Sequence, residues 1–306
     1  ICSIALLKTP AYRSSKAAQA AVKRARDYIV ASLKDPLLSA GFKSSYDVRG
    51  WGHAYALQFL LEARESGKLG KKRAYDEHIR GLVAALEETE IPRSGGWNYS
   101  RRSGALRASP PSTFMTAATL QALFLASASG FKVDPGVIDR ALDSLEEARL
   151  DSGAFQYSTF PGSKSGRGFE DVPGAVGRMP LCEVTLYLAG RGKAERIRSS
   201  LEAFFEHWGE LEKRRKKTGT HEPPYMIAPY YFFFAHYYAA QAIEFLPSKL
   251  RDSYRQRLYK LLWQIREKDG GWNDRVFPRS KSYGTAMTIL SLLQPGLDKP
   301  PAWKKK

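Results

Sequence analysis

Gly95-Gly96-Trp97-Asn98-Tyr99, followed by Thr116-Ala117-Ala118-Thr119-Leu120-Gln121-Ala122-Leu123, is matched later by Gly270-Gly271-Trp272-Asn273 and Thr285-Ala286-Met287-Thr288-Ile289-Leu290. The pattern is a glycine-aromatic loop, then Ser, Thr or His, then an Ala/Leu-rich apolar run, and five stretches of the chain are versions of it. Self-similarity at intervals of roughly 50–65 residues marks a stacked array of supersecondary units, none able to bury its apolar face alone.

Outward from these loops, apolar period and breakers predict alternating helices. One set is amphipathic and charged, as a layer facing water must be: 15–34, 71–90, 135–149, 194–213 and 249–268. Within 18–33, Ala21, Ala25, Tyr28, Ile29 and Leu33 recur at helical spacing with Lys and Arg between them. The other set is apolar nearly all round and must be enclosed: 52–63, 113–127, 181–189, 229–245 and 283–293. Pro229 suits the first turn of its helix, where the missing N–H has no partner to lose.

The opening residues, Ile1 to Lys8, have no Met and no basic start, which argues against a signal peptide. They read as the last turns of an Ala/Leu repeat helix, with the chain cut inside its first repeat and the first outer helix missing. The expected fold class is therefore all-α: an (α/α)6 toroid of alternating inner and outer helices, one domain over 1–306. An open solenoid of helical hairpins is the alternative. Closure is preferred because the array stops at six and its last unit ends in Gln294-Pro295-Gly296 and a short polar tail, with no capping helix.

The 306 residues carry 48 Lys and Arg against 31 Asp and Glu, a formal charge of +17. That balance attracts polyanions, diphosphates or anionic lipid surfaces without selecting among them. The basic runs 71–73, 213–217 and 304–306 read as solvated helix ends and a tail. Without a zinc-finger spacing, an aromatic RNA-binding motif or a helix-turn-helix, no nucleic-acid partner is expected. No 18-residue apolar run is present, so no membrane span is expected. Cys2 and Cys182 are the only cysteines, which excludes a disulfide framework.

The Gly-x-Trp loops and Ala/Leu helices, with Ala235-His236-Tyr237-Tyr238-Ala239-Ala240-Gln241-Ala242 and Tyr283-Gly284-Thr285-Ala286-Met287, resemble a known family. They look like the prenyltransferase and squalene-oxidase repeats of the terpenoid-cyclase and protein-prenyltransferase toroids. Closer still are bacterial proteins known only by that repeat, and the similarity runs over essentially the whole chain. The resemblance implies the toroid, with an apolar, isoprenoid-like or diphosphate-bearing ligand in its central barrel.

The chemistry does not follow from the fold. Cyclases of this kind protonate an alkene with an aspartate-rich motif, in which one carboxyl stays protonated beside others. Here Glu87-Glu88 and Glu146-Glu147 sit on charged outer helices, and Glu170-Asp171, in a long loop, is a poor match. The prenyltransferases hold zinc through Asp, Cys and His. Cys182 and His236 stand at similar positions, but Pro180 replaces the aspartate and Glu183 points about 100° away around a helix. A zinc site is therefore incomplete, no cofactor is expected, and Cys182 reads as a buried thiol.

Aligned by their Ala/Leu patterns, the inner helices place His53, Thr116, Cys182, His236 and Thr285 at equivalent positions. In a toroid that predicts one polar layer converging near a barrel mouth. Aromatic residues surround it: Trp51, Tyr55, Trp97, Tyr99, Tyr230, Tyr231, Tyr237, Tyr238 and Tyr283. His53 and His236 are the candidate catalytic residues. The candidate ligand-binding set is Arg49, Trp51, Tyr55, Thr116, Arg178, Cys182, Tyr230, Tyr237, Tyr283 and Thr285. The two arginines enter it because a guanidinium fork matches phosphate or carboxylate.

A plainer reading stands beside this one. Thr116 and Thr285 then cap helix starts, the histidines are satisfied core residues, and Trp97 and Trp272 are joints between repeats. Three functions are carried forward: a protein handling a small apolar or anionic ligand, an interaction toroid with a protein partner, and a carbohydrate-active lyase or hydrolase.

Overall fold

The computed structural model describes residues 1–38, 49–98, 110–158 and 168–305. Tyr99, counted above among the aromatic residues, lies outside them. In chain order the α-helices are α1 (Cys2–Lys8), α2 (Lys16–Ser32), α3 (Arg49–Ser66), α4 (Asp76–Glu88), α5 (Thr113–Ala128), α6 (Pro135–Glu147), α7 (Val172–Ala175), α8 (Met179–Leu188), α9 (Ala194–Glu206), α10 (Trp208–Arg214), α11 (Tyr231–Ile243), α12 (Ser248–Gln264) and α13 (Lys281–Leu293).

Six of these close a ring. α1 packs on α3, α3 on α5, α5 on α8, α8 on α11, α11 on α13, and α13 returns to α1. The contact between α13 and α1 rules out the open solenoid. Outside the ring, α2, α4, α6, α9 and α12 pack on α1, α3, α5, α8 and α11 in turn. No sheet forms among the described residues, where three isolated bridges merely pair loops.

The two layers follow from residue chemistry. Every side chain of α11 from Tyr231 to Ile243 is buried, as a helix without a polar face must be. Outer α6 buries one stripe, Val137, Ile138, Ala141, Leu142, Ser144 and Leu145, and turns its charged residues toward water. Its start is set by Asp134, whose side chain accepts from the Gly136 amide at 2.8 Å, and by Pro135 at the first helical position.

Some boundaries differ from the sequence reading. The expected helix over 194–213 breaks at His207 into α9 and α10, and the break turns Trp208 inward onto α11. α11 starts at Tyr231, so Pro229 precedes the helix and does not occupy its first turn. The helix expected over 71–90 opens as a 3-10 turn, Lys72–Tyr75, before α4.

The repeated loops make one joint twice. The Trp97 indole N–H donates to the Leu86 carbonyl at 2.8 Å, and that of Trp272 to the Leu262 carbonyl at 2.8 Å. The Trp97 amide donates to Thr116 Oγ1 at 3.0 Å, and the Trp272 amide to Thr285 Oγ1 at 3.0 Å. Gly96 is required here: its φ is +72°, and a Cβ would lie 2.6 Å from Thr116 Oγ1.

The tail is more than a polar end. Beyond the 3-10 turn Gln294–Gly296 it straps across the far mouth of the barrel. There the Trp303 amide donates to the Leu188 carbonyl at 2.9 Å, and the Trp303 indole stacks on Phe124 at 5.6 Å. Among the described residues no helix is long and apolar enough to cross a membrane.

Candidate functional site at the barrel mouth

At the end of the barrel where the inner helices begin lies an aromatic cup of about 210 Å³. α3 supplies Trp51 and Tyr55, α5 supplies Phe114, and α13 supplies Tyr283. α11 and the residue before it supply Tyr230, Tyr231 and Phe234. The rings brace one another: Trp51 stacks on Tyr55 at 5.5 Å, Phe114 on Tyr231 at 4.5 Å, and Phe234 sits edge-on to both Trp51 and Phe114. Such offset and edge-to-face pairs fix side chains that would otherwise fill the space they surround. Beneath the cup, Tyr238 packs on Phe234 at 4.6 Å and fills the waist of the barrel.

The sequence reading placed Trp51, Tyr55, Tyr230 and Tyr283 in the binding set, and these four do meet in the cup. Tyr237 does not; it lines a separate cavity at the far mouth. Phe114 and Phe234 were not in the set, although a signal for them exists. Trp51, Phe114, Phe234 and Tyr283 each precede by two residues His53, Thr116, His236 and Thr285. Two residues are about 200° around a helix, so a register facing the outer layer has the lumen register two places before it.

The polar layer exists as a register but does not converge on the mouth. Thr116 and Thr285 are held by the tryptophan loops, as above. His236 is fully buried and faces outward: its Nε2 accepts the Trp208 indole N–H at 2.8 Å, which leaves Nδ1–H to donate to the Phe232 carbonyl at 2.7 Å. With both nitrogens engaged, burial lowers its pKa to about 4, and the ring is a neutral structural residue. His53 is buried too and lines a groove beside Leu38, His78 and Leu82, on the side of α4.

Arg178 is likewise corrected. Its side chain is fully buried, with Nε donating to the Phe155 carbonyl at 2.8 Å and Nη1 to the Gly174 carbonyl at 2.8 Å, while Nη2 reaches the carbonyls of Phe155 and Phe169. It ties loops together behind the cup and has no fork left for an anion. Arg49 opens α3 and is also buried.

Cys182 is fully buried, with Sγ 3.8 Å from the Thr113 carbonyl, and burial holds its thiol far above the usual range. Glu183 is paired with Arg149, whose Nε lies 2.6 Å from its Oε1. The donor set does not fit zinc, and among the described residues no three His, Cys, Asp or Glu side chains gather as a metal site.

One further histidine, absent from the candidate set, stands beside the cup. His221 lies 5.1 Å from Tyr157, 5.9 Å from Tyr231 and 6.4 Å from Tyr230, at the rim of the cup, with Nδ1 held 2.9 Å from the Met226 carbonyl. The phenols of Tyr55, Tyr157 and Tyr231 are all pushed well above their ordinary value, chiefly by burial. The cup therefore presents neutral ring faces and protonated hydroxyls.

No protein-family profile and no curated protein matches the chain. Solved structures do. A variant of the type II terpene cyclase MstE from Scytonema, in complex with geranylgeranyl dihydroxybenzoate, is similar with TM-score 0.54 at 14% identity, over 97% of this chain and 86% of that one. D-mannose isomerase is similar with TM-score 0.58 at 16% identity, over 96% and 86% of the two chains. The Lin0763 protein from Listeria innocua gives TM-score 0.55 at 12% identity, over 96% and 83%. At such identities the likeness concerns architecture, and the architecture is the terpenoid-cyclase-like α/α toroid.

Proposed function

We propose that the chain is a ligand-binding toroid whose aromatic cup holds the apolar, isoprenoid-like end of a small molecule. One observation carries this reading: seven aromatic side chains, six from four inner helices and Tyr230 just before α11, surround a preformed space of about 210 Å³. Apolar cavities of about 150 Å³ take up benzene-sized guests, whereas whole-ligand sites run to roughly 300–1,000 Å³. The cup therefore suits one end of a longer molecule, with the remainder outside the rim. The solved MstE complex, with its geranylgeranyl substrate, makes a prenyl alcohol the natural probe. The apolar half of the expected ligand is better supported than a diphosphate, because Arg178 is occupied by backbone carbonyls.

Titration of the protein with farnesol in a calorimeter tests the proposal. Saturable binding is expected, weakened at least about tenfold in Trp51→Ala, the ~1.4 kcal/mol of one lost stacking partner. No saturable heat, or equal affinity in Trp51→Ala, sinks it. What favours the protein-docking alternative is exposed aromatic surface on outer helices: Tyr28 on α2 is 75% exposed, and Trp263 on α12 is 50% exposed with the Arg266 guanidinium 5.4 Å from its ring centre.

A further inference from the structure

The opposite mouth, where the inner helices end, encloses a second cavity of about 170 Å³ with a different wall. Gln58 of α3, Gln121 of α5, Gln241 of α11 and Gln294 just past α13 bring four carboxamides to it, and Tyr237 adds a phenol. The strap over 297–301 forms its floor. Charges at the site balance: Lys8 bridges Glu62, Arg64 bridges Glu65, and the strap adds one charge of each sign, Asp298 and Lys299.

Gln241 is the telling residue. It is 4% exposed, and its Oε1 is buried with no hydrogen-bond partner. An acceptor taken from water without a donor is costly, so such an atom at a cavity wall marks a place for one. Gln121, by contrast, is already fixed, donating through Nε2 to Thr185 Oγ1 at 3.1 Å.

We propose that this far mouth is a binding site for a small neutral polyol of monosaccharide size, one hydroxyl of which donates to Gln241 Oε1. A carboxamide offers a donor and an acceptor side by side, which matches neighbouring hydroxyl groups. Charges of the two signs in equal number leave no net charge to select an ion. At about 30 Å³ per water, the space equals a handful of water molecules, enough for a compact sugar and too little for a chain. The site stands apart from the aromatic cup, from which Tyr238 and Phe234 divide it, so neither proposal depends on the other.

Saturation-transfer NMR of the protein with D-glucose, D-mannose and myo-inositol is the test. Transfer to the ring protons of at least one of the three is expected, saturable in the millimolar range. It should weaken tenfold or more in both Gln241→Leu and Gln58→Leu and persist in Trp51→Ala. If Gln241→Leu does not fold, Gln58→Leu, at a half-buried position, decides alone. Absence of transfer from all three sugars, undiminished transfer in folded glutamine variants, or loss of transfer in Trp51→Ala each overturns the proposal.

Discussion

Asp274, directly after the second Gly-Trp loop, is 1% exposed, and burial pushes its carboxyl up to about 7. Its own amide, the Arg275 charge, the Phe233 amide and the Arg215 charge pull the other way without prevailing. An unfolded aspartate titrates near 3.9, so between about pH 4 and pH 7 the folded chain keeps a proton that the unfolded chain has released. The stability this supplies is whole below about pH 4, falls as pH rises and is gone above pH 7. Asp274→Asn should remove that slope and raise the melting temperature at pH 8, by at most about 4 kcal/mol in stability. Calorimetry at pH 5 and pH 8 checks this; an equal loss at both values would mean that the carboxyl supports the fold in either form.

At the level of single elements, the threonines of the joint are the sharpest probe. Thr116→Val keeps the shape but leaves the Trp97 amide without its acceptor in a buried setting, a cost of about 1–3 kcal/mol. Thr285→Val does the same to the half-buried Trp272 joint and should cost less, because water can reach it. Urea midpoints of the two variants give the comparison, and the reverse order would refute the burial argument.

The same joint shows what a sequence can convey. All-round apolar runs such as 113–127 and 229–245 declared themselves as enclosed helices, and the Ala/Leu alignment correctly paired Thr116 with Thr285. Period alone does not say which side of a helix faces the lumen. That was decided by their partners: the loop amides of Trp97 and Trp272 drew Thr116 and Thr285 outward, and the indole of Trp208 at the start of α10 drew His236. The aromatic residues two places earlier turned inward as a result. Arg178 looked like an anion grip because a sequence cannot show that three carbonyls already surround it.

On the scale of the whole molecule, the strap ties the far face together. Lys305 reaches Asp139 at 2.7 Å on outer α6, after Trp303 has crossed to α5 and α8. Trp303→Ala removes a stacked pair worth about 1 kcal/mol, so amide exchange should quicken over 297–305 while the inner helices keep their protection. Exchange quickening evenly throughout the molecule would show that the strap is part of the core.

The meeting of α1 with both α13 and α3 has a mechanical consequence. A linear stack of repeats has two outermost units with one neighbour each, and unravelling begins there. In this circle every inner helix is flanked on both sides, so melting any hairpin strips two others of partner surface at once. The seven residues of α1 act as the clasp of a bracelet, and without an outermost unit there is no natural place for denaturation to start.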